Sequence, residues 1–394
     1  MTLKLQGSTS GHTAIDAHAT AGSNTLVLPQ NNGSAGQVLQ TDGNGNLTWV
    51  DHYDTQNVHR NLIHNGEMRV DQRYNGSSKS VDSSSGNPTY ETVDRWFFMN
   101  FVGEAFRCNS QRVSDVPSNQ GFQTSVKIDT TTAQSSVSGN NYSSLAQYIE
   151  SRDCIHLNHG NANASTLTLS FWIKSTKTGT SSVYLAREDA TRGYTAEYTI
   201  SSSNTWEKKT ITIPGDTSGA PPNNDNGRGF TLLFPFFAGS TRHTAVNAWN
   251  AWPGGWYGAS ANQTNLVDNT SNNIFITGVQ LEIGSNASDF ERLSYGIELA
   301  RCQRYYEEGA FSFRNSGSIV RYFQSFNTTK IKNPTVNVYY DSSKPTAGTV
   351  NSGNSTNSGW NESGMTSGWN MEKNTGANTD STDYAGWYTA SSDL

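Results

Sequence analysis

Gly359-Trp360-Asn361 recurs nine residues later as Gly368-Trp369-Asn370, and Gly386-Trp387-Tyr388 forms a looser third copy. A planar ring beside Asn, Asp or Ser suits a sugar, whose apolar C–H face stacks on the ring while its hydroxyls find polar partners alongside. Trp360, Asn361, Trp369, Asn370, Trp387 and Tyr388 are therefore the first glycan-binding candidates. The competing reading is a small core, because large aromatics supply much of the area that cores bury. A second cluster, Trp249, Trp252, Trp256 and Tyr257, falls in the Gly/Pro/Asn-rich stretch 246–263, and loop aromatics are functional candidates. Trp172 is a third, because it lies on the polar face of an alternating strand. Packing against a neighbouring subunit explains it equally well.

Other chemistry is sparsely represented. His156 and His159 invite a metal, but Asn158 and Gly160 disfavour a helix, and in an extended chain side chains at i and i+3 point to opposite faces. The Asn223-Asn224-Asp225-Asn226-Gly227 run lacks the spacing of an EF-hand loop and reads as a solvated turn. No cofactor is expected. Cys108, Cys154 and Cys302 are far apart and odd in number, which suits buried thiols better than disulfides or a zinc site. G-x-S-x-G, H-E-x-x-H and G-x-x-x-x-G-K-[ST] are absent from the sequence. Asp153, Glu188, Asp189, Asp289 and Glu291 could supply the carboxylate pair of a glycosidase, but the expectation is a non-enzymatic protein with no catalytic residues.

The elements that would position these residues are strands. Leu167, Leu169, Phe171 and Ile173 alternate strictly with polar neighbours, and 209–213 repeats that period before a Pro-Gly stop. In 274–283 the odd positions Phe275, Val279, Leu281 and Ile283 are expected to share a face. Further strands are expected at 90–100, 106–113, 124–129, 182–188, 194–200 and 230–238, with others around 311–313, 321–323 and 336–340. One amphipathic helix is expected over 295–308, with Ser288 and Glu291 at capping-box spacing before it. The fold class is all-β: a jelly-roll or β-sandwich central domain, a short helix after it, and a small β-rich C-terminal domain.

Composition agrees. The chain has 394 residues, enough for two to four units at ~100–200 residues each. Only 15% are charged, and the net charge of −6 gives nucleic acid no basic surface. The longest apolar run, 230–239, contains Pro235 and is half the length of a membrane span. Residues 1–60 are expected to form an attachment and trimerisation segment, 61–290 the jelly roll, 291–308 a helical connector, and 309–394 a Trp/Gly/Asn-rich receptor-binding domain. In the first segment, 33–49 carries a hairpin signal around Asp-Gly and Asn-Gly. Its short apolar pulses cannot close a core alone, so a partner or two further copies of the chain are expected to cover them.

Several ordered blocks carry a resemblance: Asn61-Leu62-Ile63-His64-Asn65-Gly66-Glu67-Met68-Arg69-Val70, Val93-Asp94-Arg95-Trp96, Leu169-Ser170-Phe171-Trp172-Ile173-Lys174, Gly278-Val279-Gln280-Leu281-Glu282 and Tyr295-Gly296-Ile297-Glu298-Leu299-Ala300-Arg301-Cys302-Gln303-Arg304-Tyr305-Tyr306. Over 61–306 the chain resembles a module of tail fibres and other virion proteins of tailed bacteriophages, notably those of marine and cyanobacterial hosts. The Phe-Trp-Ile-Lys strand, the Thr205-Trp206-Glu207-Lys208-Lys209 entry and the Gly-Val-Gln-Leu-Glu strand are also similar to carbohydrate-binding modules of the galactose-binding jelly-roll type. The resemblance implies an elongated homotrimer assembled in the host cytoplasm. It also implies attachment to a tail, baseplate or adaptor protein through the N-terminus, and contact with host surface polysaccharide or lipopolysaccharide at the far end, without membrane insertion. Sugar-binding jelly rolls often hold a structural calcium, but Thr277-Gly278 before the last strand offers no paired Asp ligands.

Overall fold

A computed structural model describes residues 3–6, 12–15, 25–33, 37–41, 44–51, 60–82, 88–100, 106–188, 191–251, 258–315, 319–339, 343–344, 349–352, 355–358, 361–374 and 382–393. The chain divides into two units, Met1–Val58 and His59–Leu394.

In the first unit β1 (Leu3–Gln6) pairs with β2 (His12–Ile15), and β3 (Gln37–Thr41) pairs with β4 (Leu47–Asp51). The second pair is the expected hairpin, with Leu39 opposite Trp49. Leu26, Val27, Leu28, Val38 and Leu39 are all exposed.

The second unit is built on a sandwich whose strands are β5 (Lys79–Asp82), β6 (Phe97–Asn100), β7 (Arg107–Val113), β8 (Ser125–Thr132), β9 (Tyr142–Glu150), β10 (Leu167–Ser175), β11 (Gly179–Arg187), β12 (Arg192–Ile200), β13 (Glu207–Ile213), β14 (Arg228–Ala238), β15 (Trp249–Ala251) and β16 (Asn273–Ile283). One six-stranded sheet runs β13-β10-β16-β8-β7-β5 and the other β15-β12-β11-β14-β9-β6. Every pairing is antiparallel. Leu167, Leu169, Phe171 and Ile173 of β10 face Val183, Leu185, Phe230, Leu232 and Phe234 of the other sheet in one apolar core. The period-two pattern thus does what it must when one face of a strand is buried. β9 differs because all of it is buried. Leu145 and Ile149 enter the main core, while Ala146 and Tyr148 join Phe97, Tyr184 and Leu233 in a second cluster on the opposite face.

Strand β16 corrects one expectation. Ile274 and Ile276, not Phe275, belong to the core together with Val279 and Leu281. Ser170 pairs with Gln280 but Trp172 pairs with Thr277, so β16 spends one more residue than β10 over this stretch. That is a β-bulge, and it exchanges the inward and outward positions. Gly278 sits in it at φ +61, a conformation natural to glycine.

The resemblance-bearing blocks converge here. Asn61 donates from Nδ2 to Val279 O (3.1 Å), and its Oδ1 accepts from Leu281 N (3.0 Å). Gly66 lies so close that a Cβ would stand 2.1 Å from Val279 O. Asn65 Oδ1 accepts from Arg69 N and Val70 N, its Nδ2 reaches Val70 O and Asp94 O, and Trp96 Nε1 donates to Asn65 O. Val93-Asp94-Arg95-Trp96 forms a turn ahead of β6, with Arg95 at φ +74, so the strand expected from Tyr90 begins only at Phe97. The Arg95 guanidinium lies 3.3 Å from the centre of the Tyr305 ring and donates to Tyr148 O (2.6 Å).

Helix α1 spans Tyr295–Gln303, shorter than expected, because Tyr306 already pairs with Ser391 in the next sheet. Its N-cap is Ser294. Ser288 and Glu291 are not the capping box expected: Ser288 N donates to Glu282 Oε1 (2.9 Å), and Glu291 accepts from the main-chain N–H groups of Arg60 and Asn61. Beyond the helix come β17 (Tyr306–Asn315), β18 (Ile319–Ser325), β19 (Thr335–Tyr339), β20 (Thr349–Ser352), β21 (Ser355–Ser358), β22 (Asn361–Met365), β23 (Gly368–Asn374) and β24 (Thr382–Ser391). They form sheets ordered β17-β24-β20-β21, with β19 also on β24, and β18-β23-β22. Phe311, Val338, Trp369, Met371, Tyr384 and Tyr388 form their shared core.

Candidate functional site

The outward positions of β10 are Thr168, Ser170, Trp172 and Lys174, because their odd-numbered neighbours fill the core. Trp172 is the half-buried member of this row. On one side it faces Lys208 of β13 and on the other Thr277 of β16, where the bulge begins. A Cβ on residue 278 would stand 2.6 Å from Phe122 Cζ and 3.1 Å from Trp172 Cδ1. Glycine there lets two aromatic rings close over the strand, making the floor of a cleft of about 220 Å³. That is below the ~300–1,000 Å³ of sites for drug-sized ligands, so it takes a unit of about monosaccharide size.

The cleft wall comes from the segment after β16 and the loop before β8. Phe122 and Phe290 meet edge to face, with centroids 5.2 Å apart. The Arg292 guanidinium lies 4.6 Å from the Phe122 ring centre, and it donates to Gln120 O (2.6 Å) and Gly121 O (3.0 Å). Its Nη1 is also 3.4 Å from Glu67 Oε1. Burial raises the Glu67 carboxyl above its usual range, opposed by Arg292 and Arg69. Ser170, Lys208, Ser288 and Asp289 add hydroxyl, ammonium and carboxylate groups around the aromatic floor.

One pleat further along β10, ~7 Å away, lies a second aromatic station. Lys174 lies 4.3 Å from the Phe275 ring centre and 5.6 Å from that of Trp206, and it pairs with Asp115. Trp206 Nε1 donates to Asp115 Oδ1 (3.0 Å). Burial works against the Asp115 charge, but hydrogen bonds from Lys174 and Trp206 hold its carboxyl below the usual range. The bulge turns Phe275 outward to join this group.

The residues singled out from the sequence fare differently. Trp369 is fully buried, with its ring centroid 5.3 Å from that of Phe311 and 5.1 Å from that of Tyr388. It has no face left for a sugar. Tyr388 is buried and donates to Glu307 Oε1 (2.7 Å), so it too is a core residue. Asn370 is exposed and Trp387 half-buried. Trp360 lies outside the described residues, as do Trp252, Trp256 and Tyr257; Asn361 is described only as the first residue of β22. Trp249 packs against the main core and donates from Nε1 to Pro214 O (2.7 Å), which makes it structural.

The histidines do not converge. Residues 151–157 form a 3₁₀ helix, contrary to the extended chain expected, ending at Asn158 in the left-handed region. It leaves His156 exposed and His159 buried. Among the described residues no group of three His, Cys, Asp or Glu side chains is placed to hold a metal ion. His159 donates from Nε2 to Ser165 O (3.1 Å), and the Phe230 and Trp249 rings stand edge-on to it. Burial pushes its imidazole down to about 4.

No protein-family model matches the chain, and no curated protein matches it. Among solved structures it is similar to the enzymatically active domain of tailspike protein 4 of bacteriophage CBA120, with 17% identity over 52% of this chain and TM-score 0.28. The match takes in 21% of that chain. It is also similar to the family 11 carbohydrate-binding module of the Clostridium thermocellum cellulase Lic26A-Cel5E, with 14% identity over 54% of this chain and 98% of that one, and TM-score 0.26. A third similarity is to the CBM22-1 xylan-binding domain of Paenibacillus barcinonensis Xyn10C, with 13% identity over 54% and 97% of the two chains and TM-score 0.24.

Proposed function

We propose that this chain binds a surface glycan without cleaving it, on the outer face of the sheet that carries Trp172. The observation that carries the reading is a half-buried tryptophan on the face away from the core, with Gly278 holding a second aromatic against it and polar groups around the rim. That is the arrangement by which a pyranose stacks and hydrogen-bonds at once. The ordered blocks from Asn61 to Tyr306 support placing this activity on a homotrimeric phage tail fibre. There it would attach the virion to host polysaccharide or lipopolysaccharide, with residues 1–60 meeting the tail. The exposed apolar residues of the first unit support the trimer.

The test is a glycan array followed by calorimetry on the best ligand. Trp172→Ala should weaken binding by ~30-fold, as loss of an aromatic anchor does at ~2 kcal/mol, while the melting temperature hardly moves. Unchanged affinity in that variant would remove Trp172 from the site. If no glycan and no intact cell is bound, a purely structural virion component becomes the reading. Reducing ends released from host polysaccharide would make the chain a depolymerase. Light scattering at three times 43.0 kDa supports the trimer; a monomer at micromolar concentration counts against it.

A further inference from the structure

A larger cavity, of about 550 Å³, opens where the 3₁₀ helix 151–157, the loop at Asn61 to His64 and the last turn of α1 meet. Its size falls within the ~300–1,000 Å³ of ordinary ligand sites, but its lining is almost wholly polar. We propose that this pocket binds an acidic sugar, holding the carboxylate of a uronate or the phosphate of a sugar ester between Arg152 and Arg301. The site is independent of the Trp172 cleft.

The charge balance carries the assignment. Three arginines, Arg152, Arg301 and Arg304, meet two carboxylates, Glu150 and Asp153. Arg304 grips Glu150 with two hydrogen bonds (3.0 and 2.7 Å), and Tyr305 donates a third (3.0 Å), so these two charges satisfy each other. Arg301 donates from Nη2 to Asn61 O (3.1 Å), which fixes its guanidinium while committing one of its five N–H donors. Arg152 is anchored through its main-chain N–H to Asp225 O (3.1 Å). Its side chain makes no hydrogen bond or ion pair among the described residues. Among the lining residues Asp153 is the one remaining carboxylate, and Arg301, Arg304 and Arg95 act on its charge. It reaches solvent, yet burial against the wall and then the Glu150 charge raise its carboxyl. One positive charge is therefore left over in a recess lined by planar donors, the geometry that captures a carboxylate or phosphate. Leu62 is the only aliphatic side chain among the lining residues, so the pocket favours a polar ligand over an apolar one.

The test is calorimetry of the full chain with tri-galacturonate, mannose 6-phosphate and neutral galactotriose as probes. Tri-galacturonate or mannose 6-phosphate should bind with an affinity that falls as salt rises, and whichever does so names the acidic group. Arg152→Gln, at an exposed side chain that supports nothing else, should weaken that binding roughly tenfold, the worth of one charge-assisted hydrogen bond. Arg301→Gln should do the same. In the Trp172→Ala variant the acidic isotherm should persist, so failure here and failure at the cleft are read separately. The proposal is overturned if neither acidic probe binds or if Arg152→Gln binds as tightly as the parent.

Discussion

In the sandwich, Trp172 stands between Phe171 and Ile173, which enter the core, and so it is left on the opposite face. In the C-terminal strands, Trp369 has the same parity as Met371, and both enter the core while Asn370 and Glu372 stay exposed. Both tryptophans sit in strands, yet one is available to a ligand and the other is packing. The difference lies in parity along the strand, not in composition. Gly-Trp-Asn looks like a recognition motif only while its own alternation is ignored.

The largest expected effect tests that contrast. Trp369→Ala should cost about 3–5 kcal/mol in urea denaturation, because it empties a closed aromatic core, and should leave glycan affinity at the cleft unchanged. A variant that unfolds at the parent urea midpoint would break the comparison. Trp369 Nε1 has no hydrogen-bond partner among the described residues, so Trp369→Phe should cost much less.

Of similar size is the buried pair Lys330–Glu307, whose side chains are both fully buried and 2.7 Å apart. Tyr388 Oη and Asn327 also donate to Glu307. Lys330→Met strands a charged carboxylate and should cost about 3–5 kcal/mol, much of it recovered by adding Glu307→Met. Costs of Lys330→Met and Glu307→Met that simply add in the double variant would show that the pair is not coupled.

The sandwich has its own buried titrating group in His159. Its folded value of about 4 lies below the unfolded 6.5, so the unfolded chain binds the extra proton in between. The contribution is present above pH 6.5 and lost as pH falls toward 4, up to about 3 kcal/mol at ~1.4 kcal/mol per unit. Nuclear magnetic resonance should show this imidazole neutral at pH 5; titration near 6.5 would refute its sealed position. The smallest effect is at Gly278, where Ala should cost about 1–3 kcal/mol for the left-handed backbone alone. Because its Cβ would press on Phe122, ligand affinity should fall further than stability.

Strict alternation made β10 legible, and with it the placement of Trp172 on the polar side. β9 was not legible: Tyr142-Ser143-Ser144-Leu145-Ala146-Gln147-Tyr148-Ile149-Glu150 is buried on both faces, so neither face had to be polar. The helix was placed too long because Arg304-Tyr305-Tyr306 continues an amphipathic pattern, whereas Tyr306 is taken by the β17–β24 ladder. The cleft itself was invisible. Phe122, Trp172, Lys208, Gly278 and Phe290 lie on separate elements, and only the bulge and the sheet order bring them together. A glycine followed by Val-Gln-Leu-Glu inside a strand-like run was the available signal, since such a glycine marks a bulge or a close approach.

That one inserted residue in β16 works like a shift of reading frame written into geometry. Upstream of Gly278 the even positions Ile274 and Ile276 belong indoors, and downstream the odd positions Val279 and Leu281 do. Straighten the strand with that residue still in it and no single register satisfies both halves: either Ile274 and Ile276 turn to water while Phe275 is driven inward, or Val279 and Leu281 turn out in their place. Loss of Gly278 itself would put all four on one parity, but it would erase the bulge beside which Trp172 and Phe122 meet. Any other one-residue change of length, of the kind that surface loops absorb readily, would here exchange the inside of the protein for its outside.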